Sequence, residues 1–157
     1  MTWIRYETGE PSAPTLRLTD ARGDCFDSHN LKGVANQVIF FAHASSCPAC
    51  WQAIQHFSEL ASRFQALDCE IIIILPQSES PSFSAAPNIR LLLNPAGSAR
   101  RKYNQLIEFD IQDKLLLCIL DRYGAPSAAW IGGEADEPDL HERALQRLDY
   151  ISIQCPE

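Results

Sequence analysis

Residues 38–54, VIFFAHASSCPACWQAI, decide how this chain is read. Val38 to Ala42 is an unbroken apolar run, the pattern of a strand buried on both faces. Cys47-Pro48-Ala49-Cys50 follows it within a few residues. From Cys50 onward, Ala53, Ile54, Phe57, Leu60, Ala61 and Phe64 recur at helical spacing and form one apolar face. Gln52, Gln55, His56, Glu59 and Arg63 fall on the other side. Pro48 suits the first helical turn, where its missing N–H removes no hydrogen bond. A Cys-x-x-Cys set between a strand and a helix reads as a redox pair rather than as a structural zinc site. A zinc site needs further ligands, and the sequence holds no second Cys-x-x-Cys and no paired histidines.

The thiolate is the reactive form of cysteine, and a helix N-terminus favours negative charge. Cys47 is therefore the expected nucleophile. Cys50, one turn further on, is within reach to close a disulfide. His43 precedes the motif and is a candidate to stabilise the Cys47 thiolate or to relay a proton; the plainer reading is a loop histidine at a strand end. Ser45 and Ser46 are either hydroxyl donors to that thiolate or ordinary loop residues. His56 is expected to face solvent, and His29 and His141 have no partner pattern. Cys69 and Cys118 lie in apolar runs, where a free cysteine behaves as a small hydrophobe. Cys25 and Cys155 are the more accessible thiols by position, and Trp51 and Trp130 read as packing residues.

Working outward, Met1 to Pro14 reads as an N-terminal arm, with Trp3, Ile4 and Tyr6 able to pack onto the domain. Leu16 and Leu18 alternate with polar residues as a half-buried strand, and Cys25 and Phe26 are its expected hairpin partner after the turn at Asp20-Ala21-Arg22-Gly23. Cys69 to Leu75 contains four consecutive isoleucines, too β-branched for an ordinary helix and too continuous for a one-sided strand. A parallel, doubly buried strand follows, joined to Val38–Ala42 by a right-handed helical crossover. Ile89, Leu91 and Leu93 suggest a strand, and Pro95 to Tyr103 a short helix. Leu115 to Leu120 and Pro126 to Ile131 form a hairpin around Asp121-Arg122-Tyr123-Gly124. Asp136-Glu137-Pro138-Asp139 supplies the start of an amphipathic C-terminal helix through Leu140, Ala144, Leu145, Leu148 and Ile151. The segment from Asn104 to Asp113 has no clear pattern. The elements add up to an α/β domain with a central mixed β-sheet and helices on both faces, residues 1–157 forming a single domain with an arm at 1–14.

The bulk properties narrow the function classes. The chain has 157 residues, 46% of them hydrophobic and 21% charged, an ordinary globular composition. Its net charge of −7 disfavours a nucleic-acid surface, which needs clustered Lys and Arg. Arg100-Arg101-Lys102 is the one tight basic run and reads as a solvated helix face. No stretch is long and apolar enough to span a bilayer, and no secretory leader is visible, so the expected setting is cytoplasmic, with no nucleic acid or membrane partner. In that compartment most of the 6 cysteines are expected as free thiols and any disulfide as transient and functional.

Three segments now carry a family resemblance. Thr15 to Leu31 (TLRLTDARGDCFDSHNL), Val38 to Cys50, and Leu117 to Gly124 (LCILDRYG) resemble the opening hairpin, the central strand with its active-site dithiol, and the late strand and turn of the thioredoxin superfamily. The match is to its redoxin branch, which includes the TlpA and ResA type and the AhpC/TSA peroxiredoxins. The resemblance implies a thioredoxin-like fold with an N-terminal β-hairpin. It also implies thiol–disulfide exchange at Cys47 and Cys50, a protein or small-molecule disulfide or thiol as substrate, and no cofactor. Two departures accompany it. The family's oxidoreductases carry a cis-proline before the late strand, which helps to hold a substrate peptide and keeps metal from the sulfurs; here that position is near Leu115. Its peroxidases carry Pro and Thr seven and three residues before the reactive cysteine; here those positions are Phe40 and Ala44.

Three functions are consistent with this reading. The leading one is a thiol–disulfide oxidoreductase with Cys47 and Cys50 catalytic, supported by His43, Ser46, Pro48 and the position of Leu115. The second is a peroxiredoxin-like thiol peroxidase. The third is a non-catalytic thioredoxin-fold binding module that holds metal through the Cys-x-x-Cys.

Overall fold

The protein was analysed as a computed structural model that describes residues 2–6, 12–44, 46–79, 81–107, 114–133 and 139–154. The strands are β1 (Thr2–Arg5), β2 (Arg17–Asp20), β3 (Cys25–Asp27), β4 (Asn36–Phe41), β5 (Cys69–Leu75), β6 (Ile89–Leu93), β7 (Leu115–Leu120) and β8 (Pro126–Gly132). The helices are α1 (Pro48–Glu59), α2 (Ala61–Ala66), α3 (Ser98–Ile107) and α4 (Leu140–Gln154), with a 3-10 turn at Ser28–Leu31. The strands form one eight-stranded sheet in the order β1-β8-β7-β4-β5-β6-β2-β3. β4 pairs in parallel with β5, and β5 with β6. β7 and β8 form an antiparallel hairpin, and β7 joins β4 antiparallel. The expected mixed sheet and N-terminal hairpin are both present, with Arg17 opposite Asp27 and Thr19 opposite Cys25.

Strand alternation divides the core into two layers. Val38, Phe40, Ile71, Ile73, Leu117 and Trp130 face one side, where α1, α2 and α4 lie. Ile39, Phe41, Ile72, Ile74, Leu116 and Ala129 face the other, where α3 and the segment around Leu16 lie. The continuous apolar runs of β4, β5 and β7 follow from this two-sided covering, since apart from Glu70 near the start of β5 these strands are buried on both faces.

Four expectations change in detail. The N-terminal arm contains a strand: β1 pairs antiparallel with β8 from Thr2 opposite Ile131 to Arg5 opposite Ala128. Its alternation explains the docking, since Trp3 packs on the α1–α4 layer and Ile4 on the α3 layer. The helix after the motif is not continuous. Leu60 leaves helical geometry at φ −104° and ψ 12°, and α2 starts at Ala61. The Ala61 carbonyl instead accepts a hydrogen bond from Asn88 Nδ2 at 2.9 Å, which ties the break to the end of the loop before β6. The third helix starts later and runs further than expected. Asn94 Oδ1 accepts from the Ala99 amide at 3.0 Å, and Gly97 at φ +70° makes the left-handed turn that holds Pro95 and Ala96 outside the helix. Finally, His56 is half-buried rather than solvent-facing: its ring lies 4.5 Å from that of His141, so α1 and α4 meet through two histidines.

The turn from β7 to β8 forms as read. Asp121 Oδ1 accepts from the amides of Tyr123 and Ala125 at 2.9 and 3.0 Å, and Gly124 adopts φ +81°. Residues 108–113, most of the unpatterned segment, and Asp136-Glu137-Pro138 of the expected helix start lie outside the described residues. No helix among the described residues is long and apolar enough to cross a membrane.

Candidate active site

β4 ends at Phe41, and α1 begins at Pro48. The short connection between them carries the candidate chemistry. Cys47 is the N-cap of α1, with φ −74° and ψ 113°, and its Sγ accepts a hydrogen bond from the Cys50 amide at 3.0 Å. This is the bond that a serine or aspartate oxygen makes at a helix start, satisfying one of the amides that have no partner within the helix. Here the acceptor is sulfur, placed at the positive end of a twelve-residue helix. The Cys47 amide donates to the Ala44 carbonyl at 3.3 Å, which closes the turn behind it. Pro48 occupies the first turn of α1 as expected and is exposed, as is Ser46 on the approach to the helix. Ser45 lies outside the described residues.

Cys50 sits one turn into the helix, facing the sheet, in the same buried cluster as Ile54, Phe57 and Leu115. Both sulfurs are enclosed: Cys47 is 3% exposed and Cys50 1%. Both are free thiols. Burial pushes the Cys50 thiol up to about 12, helped by its side-chain hydrogen bond to Cys47 and by the charge of a Cys47 thiolate. Backbone hydrogen bonds at His43 and Ala44 work the other way. The two cysteines therefore differ in role. One sulfur accepts a helix amide, and the other is a buried thiol held protonated.

His43 joins them. Its Nδ1 lies 3.4 Å from the Sγ of Cys50, the inner cysteine. A ring nitrogen of His43 and the two sulfurs all lie within 4.8 Å of one another. Leu115 opens β7 opposite Gly132, and no peptide bond among the described residues is cis. Ala44, at one of the two positions where a peroxidase of the resembled family carries Pro or Thr, is half-buried, while Phe40 at the other is fully enclosed and packs on Phe57 with ring centroids 6.0 Å apart.

Arg100 lies beside this site although the sequence does not single it out. The basic run reads as a solvated helix face, but Arg100 turns inward from α3. It donates through one terminal nitrogen to the Ala42 carbonyl at 2.8 Å and through the other to the Lys114 carbonyl at 2.8 Å. It thereby ties the end of β4, next to His43, to the start of β7, next to Leu115. Its guanidinium also lies 5.9 Å from the centre of the Phe41 ring. Only the tertiary meeting of three elements reveals this; a local run of basic residues does not. Trp51 is half-buried, with its ring 6.4 Å from Phe83, and Phe83 helps to line a surface cavity of about 460 Å³ with Asp20, Arg22 and Arg90. Trp130 is enclosed, as expected of a packing residue.

The remaining thiols stand apart from this site. Cys69 and Cys118 are buried in β5 and β7, and burial raises both thiols well above their ordinary range. Cys25 is exposed on β3, at the far edge of the sheet. Cys155 lies outside the described residues.

Comparison with known proteins bears on the family and the fold. The pattern of the AhpC/TSA family matches residues 10–115, which include both cysteines, His43 and Arg100. No curated protein sequence matches the chain. Among solved structures, the peroxidoxin BcpB of Mycobacterium tuberculosis superposes with a TM-score of 0.69 at 18% identity, over 90% of this chain and 96% of that one. A reduced 2-Cys peroxiredoxin of Plasmodium vivax gives 0.73 at 14% identity, over 91% and 95%. The yeast mitochondrial 1-Cys peroxiredoxin gives 0.78 at 11% identity, over 92% of this chain and 76% of the other. At these identities the likeness is one of fold.

Proposed function

Because this chain belongs to the AhpC/TSA family, a redoxin branch of the thioredoxin-like redox enzymes, we propose that it is a thiol–disulfide oxidoreductase working through Cys47 and Cys50. The observation that carries the proposal is the placement of Cys47 Sγ, Cys50 Sγ and a ring nitrogen of His43 within 4.8 Å of one another at the start of α1. Cys47, as thiolate, attacks a substrate disulfide. One substrate sulfur leaves with the electron pair and takes a proton from water, and a mixed disulfide to Cys47 remains. Cys50 then has to lose its proton. His43 Nδ1, 3.4 Å away, accepts it when the ring carries its own proton on Nε2. The Cys50 thiolate attacks Cys47 Sγ, the second substrate thiol leaves, and a 47–50 disulfide closes. The substrate gains two electrons and the enzyme loses two; the reverse sequence oxidises a dithiol.

Both sulfurs are nearly enclosed, Cys47 at the cap of α1 and Cys50 behind it. Residues 1–157 act as one domain in this proposal, with a cytoplasmic setting and a protein or small-molecule disulfide as substrate. Reduction of insulin, or trapping of a mixed disulfide in Cys50→Ser, tests it. Cys47→Ser is expected to abolish both signals, and full activity in that variant sinks the proposal.

A second reading is favoured by the family and by the peroxiredoxin folds. In it the oxidant is a peroxide: Cys47 takes the distal oxygen as sulfenic acid and releases hydroxide or an alkoxide. Cys50 then attacks that sulfur, water leaves, and the same disulfide closes. Phe40 and Ala44 offer a peroxide no hydroxyl, which places this reading second. Rapid sulfenic-acid trapping at Cys47 with hydrogen peroxide supports it, and a rate no faster than that of free cysteine removes it.

A further inference from the structure

His43, Cys47 and Cys50 also form a ligand set. We propose that the reduced protein binds one Zn²⁺ through Cys47 Sγ, Cys50 Sγ and His43 Nδ1, with a fourth position left open, and that closing the 47–50 disulfide releases the ion. The inference uses the two thiols of the proposed exchange but not their turnover.

The geometry is the first argument. Zn–S near 2.3 Å and Zn–N near 2.0 Å at a tetrahedral angle require an S···N edge of about 3.5 Å and an S···S edge of about 3.8 Å. The Nδ1 to Cys50 Sγ distance is 3.4 Å, and a ring nitrogen of His43 and the two sulfurs all lie within 4.8 Å of one another. The first of these edges already has the length a bound ion asks for, and the other edges lie within about 1 Å of theirs. Among the described residues this is the one group of three or more metal-ligating side chains that meets that spacing.

The donor chemistry is the second argument. Two thiolates and one imidazole are borderline-soft ligands, a combination that suits zinc with an open position. Three protein ligands are too few for a closed structural site, and an Fe–S cluster asks for four. The charge also balances: Zn²⁺ and two thiolates sum to zero, so a buried site acquires no net charge. Binding releases two thiol protons to water, and His43 contributes a lone pair without changing charge. Backbone access is the third point. Leu115 at the start of β7 packs in the same cluster as both cysteines, and it brings an apolar side chain that offers no competing ligand.

Coupling to redox state follows from the bonds. In the disulfide both sulfurs are neutral and poor donors to zinc, which leaves only His43. Oxidation of the zinc-bound dithiolate by a small disulfide moves two electrons to that disulfide, yields two equivalents of its thiolate, which take protons from water, and frees the ion.

The test uses the full chain with Cys25→Ser and Cys155→Ser, reduced and kept anaerobic, and titrated with Zn²⁺ in competition with a chromogenic chelator. One equivalent is expected to bind, and it is expected to return to the chelator when the dithiol is oxidised. Co²⁺ in place of Zn²⁺ is expected to show thiolate-to-cobalt charge-transfer bands and the intense visible bands of a tetrahedral site. His43→Ala and His43→Asn, each checked for native circular dichroism, are expected to weaken binding at least about 10-fold, a ligand being worth no less than the residues that orient one. Affinity no tighter than that of a free Cys-Pro-Ala-Cys peptide, unchanged affinity in both folded His43 variants, or stoichiometric copper in place of zinc overturns the proposal. Insulin reduction measured on the same samples separates the two ideas. Zinc binding without exchange removes only the proposed function, and exchange without zinc binding removes only this inference.

Discussion

If His43 is the base that frees Cys50, removing it slows one half of the reaction and not the other. Burial and the neighbouring Cys47 push the Cys50 thiol up to about 12. Burial, the largest of these causes, persists when Cys47 is tied up in a mixed disulfide, so the Cys50 thiol stays protonated at neutral pH. Without a base the second attack waits on the small ionised fraction. A positioned general base typically contributes about 10²- to 10⁴-fold, and His43 Nδ1 stands 3.4 Å from the sulfur. In a chain carrying Cys25→Ser and Cys155→Ser, one equivalent of a chromogenic aromatic disulfide releases its thiol in two phases. The first reports attack by Cys47, and the second reports resolution by Cys50. His43→Ala is expected to slow the second phase about 100-fold or more, with a much smaller effect on the first. The residual second phase is expected to rise tenfold per pH unit in the alkaline range, as attack comes to depend on hydroxide. Added imidazole is expected to restore part of it. An unchanged second phase refutes the role, and so does an equal slowing of both phases, because that signals a damaged turn rather than a missing base.

Other consequences follow from the same structure. Arg100→Met leaves the Ala42 and Lys114 carbonyls without their charged donor and is expected to cost about 2 kcal/mol or more in urea unfolding, with Arg100→Lys recovering part of the loss. Ile54→Ala, at a fully enclosed position behind the site, is expected to cost about 2–5 kcal/mol by the same measurement. Burial, and then His56, hold His141 below its ordinary 6.5, while Glu142, Asp139 and Glu59 pull the other way. The folded protein therefore binds that proton more weakly than the unfolded chain. Stability is full above about 6.5 and falls as pH drops through the lowered value, and His141→Gln is expected to flatten this acid limb in a pH series of thermal midpoints. In the native protein, an alkylating reagent is expected to modify Cys25 at once and Cys69 and Cys118 only after denaturant is added, as read by mass spectrometry.

The sequence by itself determined the central elements and singled out Cys47 and Cys50 as the candidate dithiol. Continuous apolar runs at Val38–Ala42, Cys69–Leu75 and Leu115–Leu120 admit few structures other than doubly covered strands. A Cys-x-x-Cys with proline at the second position marks a helix start by local rules alone. Those signals are short-range, and the structure agrees with them in order, pairing and face. The arm was less legible, because Thr2–Arg5 becomes a strand only by finding the edge of β8, some 125 residues away in the chain. The break at Leu60 carries no proline or glycine to announce it; a side chain from Asn88 takes up the carbonyl of Ala61.

The site divides in the same way. Which cysteine lies at the helix cap was legible, because an N-cap is a local feature. Three things were decided only in three dimensions. Cys47 is nearly enclosed, His43 contacts Cys50, and Arg100 ties β4 to β7 across the floor of the site. Each depends on how a turn lies against packed strands, and no spacing in the sequence encodes that packing. The chain alone supplies two thiols and an imidazole; folding brings their donor atoms within 4.8 Å of one another, the proximity on which the proposed exchange and the proposed zinc site both rest.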